Sequence, residues 1–184
     1  MDNKYKNIIF MKYGVHASES VEQIIERKKK EVQSAKRMFW GYGGTLCHPL
    51  NQVQPFLQEN MSRNEKTYLV MAYTPSEMNS QTLETEFFSQ NKNDWSRIPK
   101  GIHVYGSKYA IVCKNIERCD FIMDLSNYVI PVGNSKGRPL SEYINGRIDK
   151  ACGHWDGKAK DRLSSPVHIT LCAEICDPYA VFLR

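Results

Sequence analysis

The chain has 184 residues, 41% of them hydrophobic and 24% charged, which fits one globular domain and excludes long disorder. Its formal net charge is +5, from 25 Lys+Arg against 20 Asp+Glu. With a pI of 8.8 it falls short of a dedicated nucleic-acid binder, and the balance suits a small anionic partner.

Residues 5–15, YKNIIFMKYGV, are rich in aromatic and β-branched residues and predict a first strand. A helix follows over 20–36. Ser20 with Gln23 has the form of a capping box, and Val21, Ile24, Ile25, Val32 and Ala35 make one apolar stripe. The run Arg27-Lys28-Lys29-Lys30 inside it reads as a solvated face. The stretch FWGYGGTLCHP (39–49) reads as a glycine loop, and Pro55 opens a short helix over 55–62. TYLVMAYT (67–74) is an apolar strand, and 75–100 reads as a long excursion with one helical turn around Leu83 to Phe88.

Strands are then predicted at 101–106, 108–116, 119–126 and 128–132, and the short turns between them imply antiparallel neighbours. PLSEYINGRIDKACG (139–153) reads as a second amphipathic helix. Pro139 stands near its start, Leu140, Ile144, Ile148, Ala151 and Cys152 form its stripe, and Gly153 follows its end. PVHITLCAEI (166–175) and YAVFLR (179–184) complete the strands. The sum is a single α+β domain over 1–184, with an antiparallel or mixed sheet of about seven strands and two main helices.

No run approaches the length of a membrane-spanning helix and MDNKYKNIIFMKYG shows no cleavage-site pattern, so a cytoplasmic protein without a membrane partner is expected. The six cysteines form no C-x-x-C pair, and neither Cys172/Cys176 nor Cys152/His154 has the spacing of a zinc module. Free thiols, no metal and no cofactor are the expectation. Nothing in the sequence fixes the oligomeric state.

Two segments carry the chemistry of a ligand site. In the first, Trp40 and Tyr42 offer stacking faces, while Gly41, Gly43 and Gly44 let the backbone come close to a ligand; His48 is a further candidate contact. In the second, VGNSKGRP (132–139), Ser135, Lys136 and Arg138 precede a predicted helix N-terminus, whose unpaired N–H groups attract anions. The Walker spacing is absent, so this is not a P-loop. Together they suggest a nucleotide-type small molecule carrying phosphate, such as a cyclic nucleotide, a dinucleotide or an ADP-ribose derivative, bound without turnover.

VHITL places His168 and Thr170 on one strand face, and VHAS holds His16 and Ser18. These two H-x-[ST] tripeptides resemble the motif pair of the two-histidine phosphoesterases, which would make His16 and His168 acid and base on a phosphodiester. The resemblance covers only the two tripeptides. His16 precedes the first helix, whereas that family's first motif lies in a strand after it, where this chain has FWGYGG. A third reading, a nucleic-acid or protein interaction domain, rests on the basic run at Arg27 to Lys30.

Overall fold

The apolar run near the N-terminus forms β1 (Asn7–Tyr13). Ile9, Met11 and Tyr13 enter one core, and Ile8 and Phe10 enter another. β3 (Tyr68–Tyr73) lies parallel to it and divides the same way, Leu69 and Met71 against Tyr68, Val70 and Ala72. A strand covered on both faces needs apolar residues at every position, so neither strand shows polar alternation. The structure, a computed structural model, describes residues 3–75, 82–145 and 148–184.

Among the described residues the sheet is mixed and has ten strands, three more than the sequence pattern suggests. Its main path runs β2 (Met38–Tyr42), β6 (Tyr109–Cys113), β10 (Pro166–Leu183), β3, β1, β9 (Lys150–Trp155), β8 (Tyr128–Val129). β7 (Glu117–Asp124) continues along the same edge of β10 as β6. β4 (Phe87–Ser89) pairs with the end of β10, and β5 (Ser96–Arg97) pairs with β4.

The sheet is strongly curled. β2 and β1 stand four steps apart in strand order, which in a flat sheet is about 19 Å. Yet the rings of Tyr13 and Trp40 meet edge to face with centroids 6.1 Å apart. Inside the curl lies the first core, covered by α1 (Val21–Ala35) and α2 (Gln54–Ser62). The capping box at Ser20 forms as expected, and the helix lays Ile24, Ile25, Val21 and Val32 against this core.

Several sequence expectations are corrected. The helix over 139–153 reduces to α3 (Leu140–Tyr143), and its end from Lys150 onward belongs to β9; Gly146 and Arg147 lie outside the described residues. The apolar spacing suits a helix, but Gly153 has a packing role in the sheet. A Cβ there would come within 2.9 Å of Leu140 Cδ2 and 3.1 Å of Ile8 Cγ1, so the glycine lets α3 sit down on the strand. Predicted strands 108–116 and 119–126 do not pair with each other; both pair with β10. Those at 166–175 and 179–184 are one long strand with a register shift between Ile175 and Ala180. Leu83 to Phe88 contains no helical turn, and residues 76–81 of the long excursion lie outside the described residues.

Candidate functional site

The stretch read as a glycine loop is half strand. Met38–Tyr42 is β2, an edge strand, with Met38, Trp40 and Tyr42 turned into the core beneath α1. Gly41 faces the other way. A Cβ there would meet Ser107 Oγ at 2.4 Å and Val104 Cγ1 at 2.6 Å. The glycine therefore exists to admit the segment 101–107, which the sequence suggested was a strand.

That segment alternates as a strand does, with Ile102 and Val104 buried, but its backbone has no strand partner at His103. Ionised side chains of α1 take the place of the ladder. Glu31 accepts from His103 N–H at 3.1 Å, while Arg27 Nη1 and Lys28 Nζ donate to the His103 carbonyl at 2.7 and 3.0 Å. Lys28 Nζ also donates to both Glu31 oxygens at 2.9 and 3.0 Å and to the Phe39 carbonyl, on the free edge of β2, at 2.5 Å. Arg27 completes the cluster by donating to Glu19, at 2.6 Å from Nη2, and stacks on Tyr105. A buried charge is tolerable only when paired and hydrogen-bonded, and this cluster meets that condition.

Arg27 and Lys28 thus correct the solvated reading of the basic run: Lys28 and Glu31 are fully buried, and only Lys29 and Lys30 remain exposed. Burial pulls the Lys28 ammonium down to about 8, against the pull of Glu31. The signal was present in the sequence, since Ile24, Lys28, Glu31 and Ala35 recur at helical spacing and share one stripe.

The curled sheet and the 101–107 segment enclose a cavity of about 360 Å³, within the usual range for small-ligand sites. The ends of β1 and β2 form its walls, through Tyr13, Trp40 and Tyr42 and the backbone at Gly41, Gly43 and Gly44. His16, Tyr105 and Ser107 close one side; Lys12, Asp149 and Lys150 line another. Lys150 Nζ pairs with Asp149 at 2.5 Å. Lys12 meets the lining along β1 with its side chain on the Ile8 and Phe10 face, opposite Tyr13, whereas Lys150 brings its ammonium to the Gly44 backbone. His16 donates from Nε2 to the Tyr105 carbonyl at 2.8 Å, fixing its tautomer.

The structure therefore gathers Trp40, Gly41, Tyr42, Gly43, Gly44 and His16 around one cavity. Other candidate residues lie elsewhere. His48 accepts from Asn51 N–H at the start of the π-helical turn Pro49–Val53 and packs against Tyr109 and Phe182. Lys136 and Arg138 are exposed and line no cavity described here; Arg138 reaches Glu142 at 4.0 Å. The following helix has four residues, too short to build an appreciable dipole. Ser135 lines a second, smaller cavity. His168 pairs with Asp120 at 2.6 Å on the exposed surface, and Thr170 bonds the Tyr13 hydroxyl at 2.9 Å behind the cavity wall.

Sequence reasoning missed Lys150 and Tyr105. Lys150 was hidden by assigning it to a helix. The six cysteines are free thiols. Contact with Cys47, together with burial, holds Cys152 well above the usual thiol range, so it is no thiolate nucleophile. No group of three or more His, Cys, Asp or Glu among the described residues is placed to hold a metal, and no described helix is long and apolar enough to cross a membrane. No family model matches this chain, and neither does any curated protein or solved structure.

Proposed function

We propose that the 360 Å³ cavity binds a small molecule that carries both a flat ring and phosphate, of the nucleotide type, and releases it unchanged. The observation that carries this reading is the cavity's combination of an aromatic wall, Tyr13, Trp40 and Tyr42, with the Lys150 ammonium beside the Gly44 backbone. A lysine beside glycine backbone suits a phosphate, and aromatic rings suit a base. In this reading the anion-holding role falls to Lys150 in place of Lys136 and Arg138.

The phosphoesterase reading requires His16 and His168 to act on one substrate. His16 lines the cavity and His168 does not, and the paired Asp120 carboxylate leaves His168 facing solvent. The interaction-domain reading loses Arg27 and Lys28 to the buried cluster.

Calorimetric titration with ribonucleoside phosphates at two salt concentrations tests the proposal. Saturable binding is expected. Lys150→Gln should weaken it by about 1.5–3 kcal/mol, the range for a charged hydrogen bond. Chromatography should return the ligand intact. Hydrolysed product would favour the enzymatic reading, and no binding by any nucleoside phosphate would refute the proposal.

A further inference from the structure

Lys150 belongs to two cavities at once. Besides the larger one, it lines a second of about 220 Å³ together with Cys47, Gln52, Asn134, Ser135 and Tyr143. At 220 Å³ this space lies below the roughly 300 Å³ at which pockets hold a drug-sized ligand alone, so it suits an annex better than an independent site. Its chemistry differs from its neighbour's. The larger cavity is walled by aromatic rings; the smaller offers an amide, a hydroxyl and a phenol. Asn134 is exposed and Ser135 half-buried, and among the described residues neither side chain takes part in a hydrogen bond. Gly44 stands at the boundary, where an added Cβ would lie 4.0 Å from Lys150 Nζ.

Building on the ligand class proposed above, we infer that the ligand has two parts joined through phosphate. Its base occupies the aromatic cavity, its phosphate sits at Lys150, and a sugar or second nucleoside enters the smaller cavity. Amide and hydroxyl groups recognise sugar hydroxyls, and a cation placed between two cavities suits a linking phosphate more than a terminal one. A dinucleotide or nucleoside diphosphate sugar has this form; a lone nucleoside monophosphate fills only one side. Occupying both cavities makes the second contact intramolecular, which raises affinity without strengthening either contact.

The test titrates the full chain with two probe panels. One holds the four ribonucleoside 5′-monophosphates; the other holds ADP-ribose, NAD and the cyclic purine dinucleotides. The best two-part probe should bind at least about ten-fold tighter than the best monophosphate. Ser135→Trp, which fills the smaller cavity, should remove that advantage. Asn134→Leu, which keeps the volume and removes polarity, should reduce the advantage in part; thermal melts confirm that both variants fold. Lys150→Gln should weaken both panels. Equal affinity for the two panels would overturn the inference while leaving the ligand-class reading standing, as would an advantage that survives both variants. Failure of every probe in both panels would overturn the ligand-class reading and this inference with it.

Discussion

Replacing Lys28 with methionine tests the feature that gives the cavity its far wall. The ammonium bonds Glu31, the Phe39 carbonyl on the free edge of β2 and the His103 carbonyl of the 101–107 segment. Methionine keeps most of the volume and none of these bonds. Glu31 keeps Arg27 Nη1 at 3.1 Å and the His103 N–H, while the Phe39 carbonyl loses its lysine donor. Removing one partner of a buried pair costs about 3–5 kcal/mol, which for a chain of this size corresponds to about 6–20 °C in melting temperature. Urea unfolding followed by tryptophan fluorescence measures the cost. The double variant Lys28→Met/Glu31→Met should lose less than the two single losses added together, because the Lys28–Glu31 interaction is then counted once. A single-variant cost below about 1 kcal/mol would refute the reasoning, since exposed charges behave that way.

Gly41→Ala drives a methyl into Val104 and Ser107. It should cost about 1–3 kcal/mol by overpacking and weaken ligand binding by displacing the cavity wall; an unaffected variant on both readouts would contradict the contact. Trp40 is both core and cavity wall, 8% exposed, so Trp40→Ala should lose about 3–5 kcal/mol of stability and its folded fraction should bind more weakly by about 1–3 kcal/mol. Unchanged affinity in that folded fraction would make Trp40 purely structural. Burial pushes the Asp124 carboxyl up, but hydrogen bonds from Ser164, Ser165 and Ser126 outweigh it and hold the group at about 2, below its ordinary 3.8. The folded value is the lower one, so this stabilisation is complete above about pH 4 and is lost as pH falls through about 2. Asp124→Asn should flatten the stability curve between those values, and an unaltered acid limb would contradict the assignment.

Elements whose periodicity and end signals agree were legible in the sequence. The first helix had a capping box and an apolar stripe, and both formed. β1 and β3 were continuous apolar runs, and they became central strands buried on both faces. The failures came where a tertiary contact supplied what local sequence did not. In 139–153, apolar spacing pointed to a helix, but pairing with β1 and β8 drew 150–155 into the sheet; the Asn145-Gly146 dipeptide was the contrary signal. The 101–106 alternation was real, yet charged side chains of α1 replaced strand pairing at His103.

The site was legible in part for the same reason. The pairing of glycines with aromatics around Trp40 marked a place where backbone approaches something closely, and the nearest such thing is the 101–107 wall. The position of Lys150 beside it depends on the curl of the sheet, which follows from strand order and packing and leaves no local trace. The second loop carried suitable residue types, but only Ser135 among its three candidates reaches a cavity.

Native mass spectrometry of the protein purified from cells that make it tests the central claim most directly. The account predicts a bound species at one copy per chain whose released form absorbs near the nucleobase maximum and contains phosphorus, and which is lost from Lys150→Gln. A retained ligand without phosphorus or base, or one that Lys150→Gln holds as tightly as the native chain, would contradict it.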